Sequence, residues 1–315
     1  MRILFTGASS FTGYWFVKAL ARAGHEVVAI FSQRSDAYEG IRLERVKGVE
    51  DFCKPVFSCV FGSEAFMSLL QAEAPFDVFC HHAADVTNYR SADFDVAAAL
   101  VANTRSLPDI LRHLSETGCD RLLLTGSIFE SGEGQGSDGL TAFSPYGLSK
   151  ALTSDMVEYY AQVNDMHFGK FVIPNPFGAL EEPRFTAYLV NTWARGEIAE
   201  VKTPAYIRDN IHVDLLAACY ARFLGDMPSS PGSSKFNPSG YIESQGAFAE
   251  RFASNLRART QLSCGLTLAR QTEFSEPRIR INHDVADGYA ADWSEQAAWD
   301  SVAQFYAPVI EASRA

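Results

Sequence analysis

The chain has 315 residues, 47% of them hydrophobic and 21% charged, with 27 basic against 38 acidic residues for a net charge of −11. These values exclude a disordered or collagenous chain and a small disulfide scaffold, and the charge gives no electrostatic footprint for nucleic acid or an anionic membrane. Residues 1–7 hold too few apolar side chains for a signal-peptide core, and no apolar run approaches the roughly 20 residues of a membrane span.

The first half alternates short β-branched runs with longer helical patterns, the signature of βαβ units feeding a parallel sheet. In chain order this predicts strands over 3–5, 27–31, 56–60, 78–81, 121–125 and 168–173, and helices near 12–23, 64–72, 93–117 and 146–164. Gly24 is a helix stop. The glycine-rich stretch 132–139 reads as a mobile loop of the kind that covers a site. Beyond Pro174 the pattern is irregular, with further helices expected near 186–196, 213–224, 245–260 and 294–311.

Strand 3–5 runs directly into Thr6-Gly7-Ala8-Ser9-Ser10-Phe11-Thr12-Gly13 and then a helix, which is where a dinucleotide loop sits. Gly7 permits the tight turn, small Ser10 lets backbone approach a pyrophosphate, and Gly13 lets helix and strand pack closely. A carboxylate for the ribose 2′-hydroxyl of NAD is expected at the end of the second strand, but Phe31, Ser32, Gln33 and Arg34 supply none. Ser32 and Arg34 could instead hold a 2′-phosphate, which favours NADP(H), with NAD(H) as the alternative; the plain reading of Arg34 is a solvated loop charge.

Tyr146 and Lys150 lie four residues apart at the start of a helix and so share a face. A tyrosine with a pKa of about 10 needs a neighbouring cation before it can exchange protons at neutral pH. Ser127, at the end of strand 121–125, can hold a substrate oxygen beside it. The seven histidines show no ligand spacing, so no metal site is expected, and adjacent His81 and His82 read as one core and one surface residue. Six scattered cysteines without a Cys-x-x-Cys read as reduced thiols of a cytoplasmic protein.

With the 6–13 loop, Asp77-Val78-Phe79-Cys80-His81-His82-Ala83-Ala84, Asn103-Thr104, Ser127 and Ser144-Pro145-Tyr146-Gly147-x-Ser149-Lys150, most of the chain resembles the extended short-chain dehydrogenase/reductase family, in its nucleotide-sugar epimerase/dehydratase branch. The resemblance implies an α/β fold: a Rossmann-type doubly wound parallel sheet with a smaller, interleaved C-terminal substrate-binding domain. The cofactor domain is expected over 1–175 with 206–236 returning to it, and the substrate region over 176–205 and 237–315. It implies Tyr146 as acid/base, Lys150 as its partner and a ribose ligand, and Ser127 as the positioning hydroxyl. It puts the cofactor against Gly7, Ser9, Ser10, Phe11, Thr12, Gly13, Ser32, Arg34, Phe61, Ala83, Ala84, Asn103, Thr125, Lys150 and Pro174. A nucleotide-diphosphate sugar is expected against Ser127, Tyr146, Asn175, Phe185 and Arg208, with Arg278 or Arg280 as a second phosphate partner. A homodimer through helices 93–117 and 146–164 is also implied.

The chain departs from the branch at instructive places. Ile128 and Phe129 replace the Asp-Glu pair that a 4,6-dehydratase needs for acid/base work, so dehydration is not expected. Val60-Phe61 stands where an aspartate commonly meets the adenine. Together with Phe31 these departures predict an NADPH-dependent 4-ketoreductase, with a nucleotide-sugar 4-epimerase as the close alternative and a non-catalytic dinucleotide sensor as a third. Phe185, Tyr188, Trp193 and Tyr206 are read as either sugar-nucleotide contacts or core aromatics.

Overall fold

The computed structural model describes every residue except 287, 291, 292, 314 and 315. In chain order the strands are β1 (Arg2–Thr6), β2 (Glu26–Ile30), β3 (Lys54–Val56), β4 (Val78–His81), β5 (Arg121–Ser127), β6 (Gln135–Gly136), β7 (His167–Ile173), β8 (Asn175–Phe177), β9 (Ala199–Val201), β10 (Ile207–His212), β11 (Gly232–Phe236), β12 (Pro238–Ser239), β13 (Tyr241–Ser244), β14 (Leu266–Leu268), β15 (Ile279–Ile281) and β16 (Asp284–Val285). The helices are α1 (Phe11–Arg22), α2 (Gly40–Val49), α3 (Glu64–Glu73), α4 (Val96–Asn103), α5 (Leu107–Glu116), α6 (Pro145–Val163), α7 (Phe185–Ala194), α8 (Val213–Asp226), α9 (Gln245–Arg257) and α10 (Glu295–Ala312).

Seven parallel strands form the main sheet in the order β11-β7-β5-β4-β1-β2-β3. The direction of winding reverses between β1 and β4, which opens a crevice beyond their C-terminal ends, the place where this doubly wound α/β architecture binds ligands. Each central strand is buried on both faces. Ile3, Phe5, Val27 and Ala29 join one apolar layer with α1 and α8, while Leu4, Val28, Phe79 and Leu122 join the other with α3, α5 and α6. A smaller sheet, β13-β10-β15-β6 with β8 also paired to β10, stands beside it. A third apolar cluster around Phe177, Trp193, Phe252 and Trp299 packs α7, α9 and α10 together. Within 206–236, α8 and β11 belong to the main sheet's layers, whereas β10 is the centre of the smaller one.

Several local expectations need correction. The helix expected over 93–117 is two helices, α4 and α5. Ser106 sits at φ +55 and donates its hydroxyl to the Gly62 carbonyl at 3.1 Å, and Pro108 follows with no N–H to continue α4. The third strand is shorter and earlier than 56–60 because the chain turns at Ser58, φ +56, and α2 lies in a stretch to which the sequence pattern assigns no element. The 132–139 stretch is fastened rather than free: Gly136 pairs with Arg280 across β6 and β15, and Glu133 is buried. His81 and His82 both point inward rather than to opposite environments: His81 is fully buried, and the His82 ring stacks on Phe5 and meets Phe16 edge-on.

Candidate active site

β1 ends in a loop shaped by contact rather than by flexibility. Gly7 has φ +83, and a Cβ there would lie 2.9 Å from the Ala83 nitrogen. At Gly13 a Cβ would reach 2.2 Å from the Gly7 carbonyl oxygen, so both positions admit no side chain. Ser10 caps α1: its Oγ accepts the Gly13 amide at 3.0 Å and donates to the Gly7 carbonyl at 2.9 Å. Helix geometry leaves the Phe11 and Thr12 amides without an intrahelical acceptor, so they face an incoming anion. Thr6 Oγ1 accepts the amides of His82 and Ala83 at 3.0 and 2.9 Å and so sets the end of β4, with Ala83 and Ala84, against this loop.

Sequence reasoning missed what His82 does. Its Nε2 lies 3.0 Å from Ser10 Oγ and 3.2 Å from Thr12 Oγ1, and its Nδ1 lies 2.9 Å from Thr125 Oγ1. Ser10 spends its proton on the Gly7 carbonyl, so Nε2 donates and Nδ1 accepts from Thr125. Burial, with Lys150 and His81 nearby, pushes the His82 pKa down to about 3 and keeps the ring neutral. One imidazole thus joins the glycine loop to β5. The next link is Lys150, whose Nζ donates to the Thr125 carbonyl at 2.7 Å.

At the end of β5, the Ser127 amide donates to the buried Glu130 carboxylate at 2.7 Å, and Ser127 Oγ accepts the Phe129 amide at 3.2 Å. α6 starts hard against this turn: a Cβ on Gly147 would sit 2.2 Å from the Phe129 carbonyl oxygen. Tyr146, one residue earlier, lies edge-on to Tyr89 and Phe94, with ring centroids 5.5 and 5.9 Å away. Burial raises the Tyr146 pKa above its ordinary value, with Glu130 and Tyr89 adding to the rise and Arg184 opposing it. Burial lowers the Lys150 pKa, opposed by Glu130. Glu130 itself is balanced by Lys170, whose Nζ lies 2.7 Å from it and 2.8 Å from Glu133. No motif pointed to Glu130, Arg184 or Tyr89; their roles come from contacts across the fold.

At the adenosine end, Phe31 is buried and stacks on Phe57, leaving no acceptor for a ribose hydroxyl. Ser32 is exposed, and Arg34 is held by Asp36 through bonds of 3.0 and 2.7 Å. A different arginine reaches the glycine loop: Arg42 of α2 donates from Nε and Nη2 to Ser9 Oγ at 3.1 and 2.9 Å. Phe61 is buried in the aromatic layer, 4.3 Å from the His81 ring. Asn103 is also buried. Its Oδ1 accepts the Asp85 amide and its Nδ2 donates to Thr153, so its amide serves protein partners. Pro174 is buried between β7 and β8.

The expected substrate residues are largely engaged by protein. Arg208 donates from Nη1 to the carbonyls of Ile207, Pro277 and Arg278 and from Nη2 to Glu276 at 2.8 Å, so a phosphate would have to displace Glu276. Arg280 is buried and serves the carbonyls of Ile128, Glu130 and Thr141. Of the two second-phosphate candidates only Arg278 is exposed, lying over the Phe274 ring. Asn175 Nδ2 donates to the Asp209 carbonyl at 3.2 Å. Phe185 is half-buried against the third cluster. Trp193 and Tyr206 are core, and Tyr188 is exposed. Among the described residues no group of His, Cys, Asp and Glu is placed to hold a metal, and no helix is long and apolar enough to cross a membrane.

The model of the NAD dependent epimerase/dehydratase family matches residues 3–237, spanning the glycine loop, Ser127, Tyr146 and Lys150. The chain belongs to this family. It is 23% identical over 290 residues to a UDP-glucose 4-epimerase of Mycolicibacterium smegmatis, covering 89% of this chain and 87% of the relative. A UDP-glucuronic acid 4-epimerase of Bacillus cereus, solved with a UDP sugar and NAD, superposes with a TM-score of 0.73 at 16% identity over 99% of both chains. A UDP-glucose 4-epimerase of Thermotoga maritima superposes with a TM-score of 0.74 at 15% identity, covering 98% of this chain and 100% of that one. At these identities the solved structures speak for the shared fold, a Rossmann-type parallel sheet with flanking helices.

Proposed function

We propose that the protein carries out NAD(P)-dependent oxidoreduction at C4 of a nucleotide-diphosphate sugar, with epimerisation at that carbon as the leading reading. The observation that carries it is the chain of contacts from the glycine loop through His82 and Thr125 to Lys150, which brings the Tyr146 end of α6 to the Ser127 end of β5. The UDP-sugar 4-epimerases among the relatives favour the epimerase over the reductase.

The glycine loop, the α1 amides and Lys150 would hold a dinucleotide, which when bound supplies and takes back hydride. Ser127 orients the substrate's C4 oxygen, and Tyr146 takes or returns its proton. Lys150 places a positive charge on the cofactor side of β5, and the buried surroundings keep competing water from these groups.

A second reading, the NADPH-dependent 4-ketoreductase, is favoured by two observations. Glu130 and burial hold Tyr146 protonated, the form that gives a proton to a new alkoxide, and Phe31 leaves no carboxylate for the ribose of NAD. The neighbours solved with NAD weigh toward NAD(H) as cofactor, the missing carboxylate toward NADP(H). Incubation with UDP-sugars and, separately, with NADPH and 4-keto-6-deoxy nucleotide sugars tests the proposal. Redox-neutral interconversion of the first class supports the epimerase, NADPH oxidation by the second supports the reductase, and inertness toward both overturns the proposal.

The same reading includes a homodimer. α4 and α6 expose large apolar side chains, with Val101 68%, Leu148 43%, Leu152 37%, Tyr159 60% and Val163 60% exposed, which a second copy of the chain would cover. Six cysteines scattered along the chain without a Cys-x-x-Cys spacing fit a reducing compartment, hence the cytoplasm.

A further inference from the structure

We propose that Arg42 and Ser9, flanked by Arg34, form a subsite for a phosphate monoester on the 2′-oxygen of the adenosine ribose. The inference rests on the reading of the glycine loop as a dinucleotide site and is independent of whether the enzyme epimerises or reduces.

β2 lies next to β1, and its C-terminal end is where the adenosine ribose of a dinucleotide falls. The backbone there is built without a negative charge: Phe31 is buried, and Ser32 and Gln33 are neutral. α2, which begins nine residues after Phe31, brings Arg42 back over this end so that its guanidinium bridges to Ser9 in the loop after β1. The bridge is supported from below. The buried Tyr38 ring lies 5.6 Å under the Arg42 guanidinium, and the Tyr38 hydroxyl accepts the Gln33 amide at 3.2 Å, tying the end of β2 to the same platform.

The hydrogen-bond inventory leaves this pair unfinished. Arg42 commits Nε and one terminal nitrogen to a single neutral oxygen, so the remaining N–H groups of its fork are available. Ser9 is buried in the loop and accepts from Arg42, which leaves its own hydroxyl proton free to donate. Arg2, Arg34, Arg45 and Arg208 each sit against a carboxylate, whereas among the described residues Arg42 has no ion pair. A guanidinium edge, a serine hydroxyl and an uncompensated positive charge suit a phosphate monoester, and they give a ribose hydroxyl no charge to exploit. Arg34 is a lesser contributor, because it must first leave Asp36.

Equilibrium titration of 2′,5′-ADP and 5′-AMP at fixed ionic strength tests the subsite without turnover, since the two ligands differ only in the 2′-phosphate. The expected result is that the wild type binds 2′,5′-ADP about tenfold or more tightly than 5′-AMP. Arg42→Ala should reduce that ratio to about one while leaving 5′-AMP affinity unchanged, which also reports an intact fold, and Arg42→Lys should restore only part of it. Equal affinity in the wild type, or a preference that survives Arg42→Ala, overturns the subsite alone. Failure of both nucleotides to bind overturns the dinucleotide reading of the loop together with it.

Discussion

The Glu130 carboxylate accepts the Ser127 amide at 2.7 Å while Lys170 lies at the same distance from its other oxygen. A fully buried charge therefore fixes the residue that is to hold the substrate oxygen, and its field raises the pKa of both Tyr146 and Lys150. Glu130→Gln keeps an acceptor for Ser127 and removes the charge. Both pKa values then fall, and the limb of the kcat profile set by Tyr146 moves acidward by roughly one pH unit. A profile that stays in place or moves to higher pH contradicts this role.

Arg280 is a buried cation whose partners are backbone carbonyls. It holds Ile128, Glu130 and Thr141 at 3.1, 2.7 and 3.2 Å, fixing both ends of the 132–139 stretch to β15. Arg280→Met orphans these carbonyls and should lower stability by about 3 kcal/mol in denaturant unfolding. Faster amide exchange around Gly136 should accompany the loss. Protection equal to the wild type would show that the β6–β15 pairing stands without the guanidinium.

Acid should unfold the protein through its paired histidines. Burial lowers the His81 pKa to about 4 and the His82 pKa to about 3, below the 6.5 of the unfolded chain. The unfolded state therefore binds these protons first: the folded state is at full advantage above pH 6.5 and loses it as pH falls toward 4 and 3. Each pH unit within that window costs about 1.4 kcal/mol per histidine. His82→Leu should be less stable at pH 7, having lost the Ser10, Thr12 and Thr125 contacts, yet show a shallower decline between pH 6.5 and 4 by urea unfolding. Parallel declines would refute the assignment.

The parts of the site that were legible are those in which neighbours in sequence are neighbours in space. β1, the glycine loop and α1 follow one another directly, and Tyr146 and Lys150 share one turn of helix. Helix 93–117 looked continuous because its apolar period runs through the break; the Ser106–Gly62 bond that helps set the break joins residues 44 apart. The 132–139 stretch has loop composition, and its two-residue strand β6 forms only because β15, more than 140 residues later, pairs with it. Glu130, Arg42 and Arg280 carry no motif, and their partners are chosen by the fold. Arg34 fitted the local pattern for a phosphate, but Asp36 two residues away takes it.

The exposed stripe on α6 gives a separate prediction. Leu152→Glu combined with Tyr159→Glu places charges on the proposed dimer face without touching the core, and should convert a dimer into a folded monomer in light-scattering chromatography. A wild type that is already monomeric contradicts the interface.

In the proposed reaction Tyr146 governs hydride chemistry at C4. The most direct test is NMR of UDP-sugars deuterated at C4, incubated with the wild type and with Tyr146→Phe in the presence of NAD(H) or NADP(H). The expected product is a C4 epimer that keeps its deuterium, and turnover in Tyr146→Phe falls by about 10²- to 10⁴-fold with cofactor affinity unchanged. Wash-out of the deuterium to solvent, or equal turnover by the variant, would contradict that chemistry.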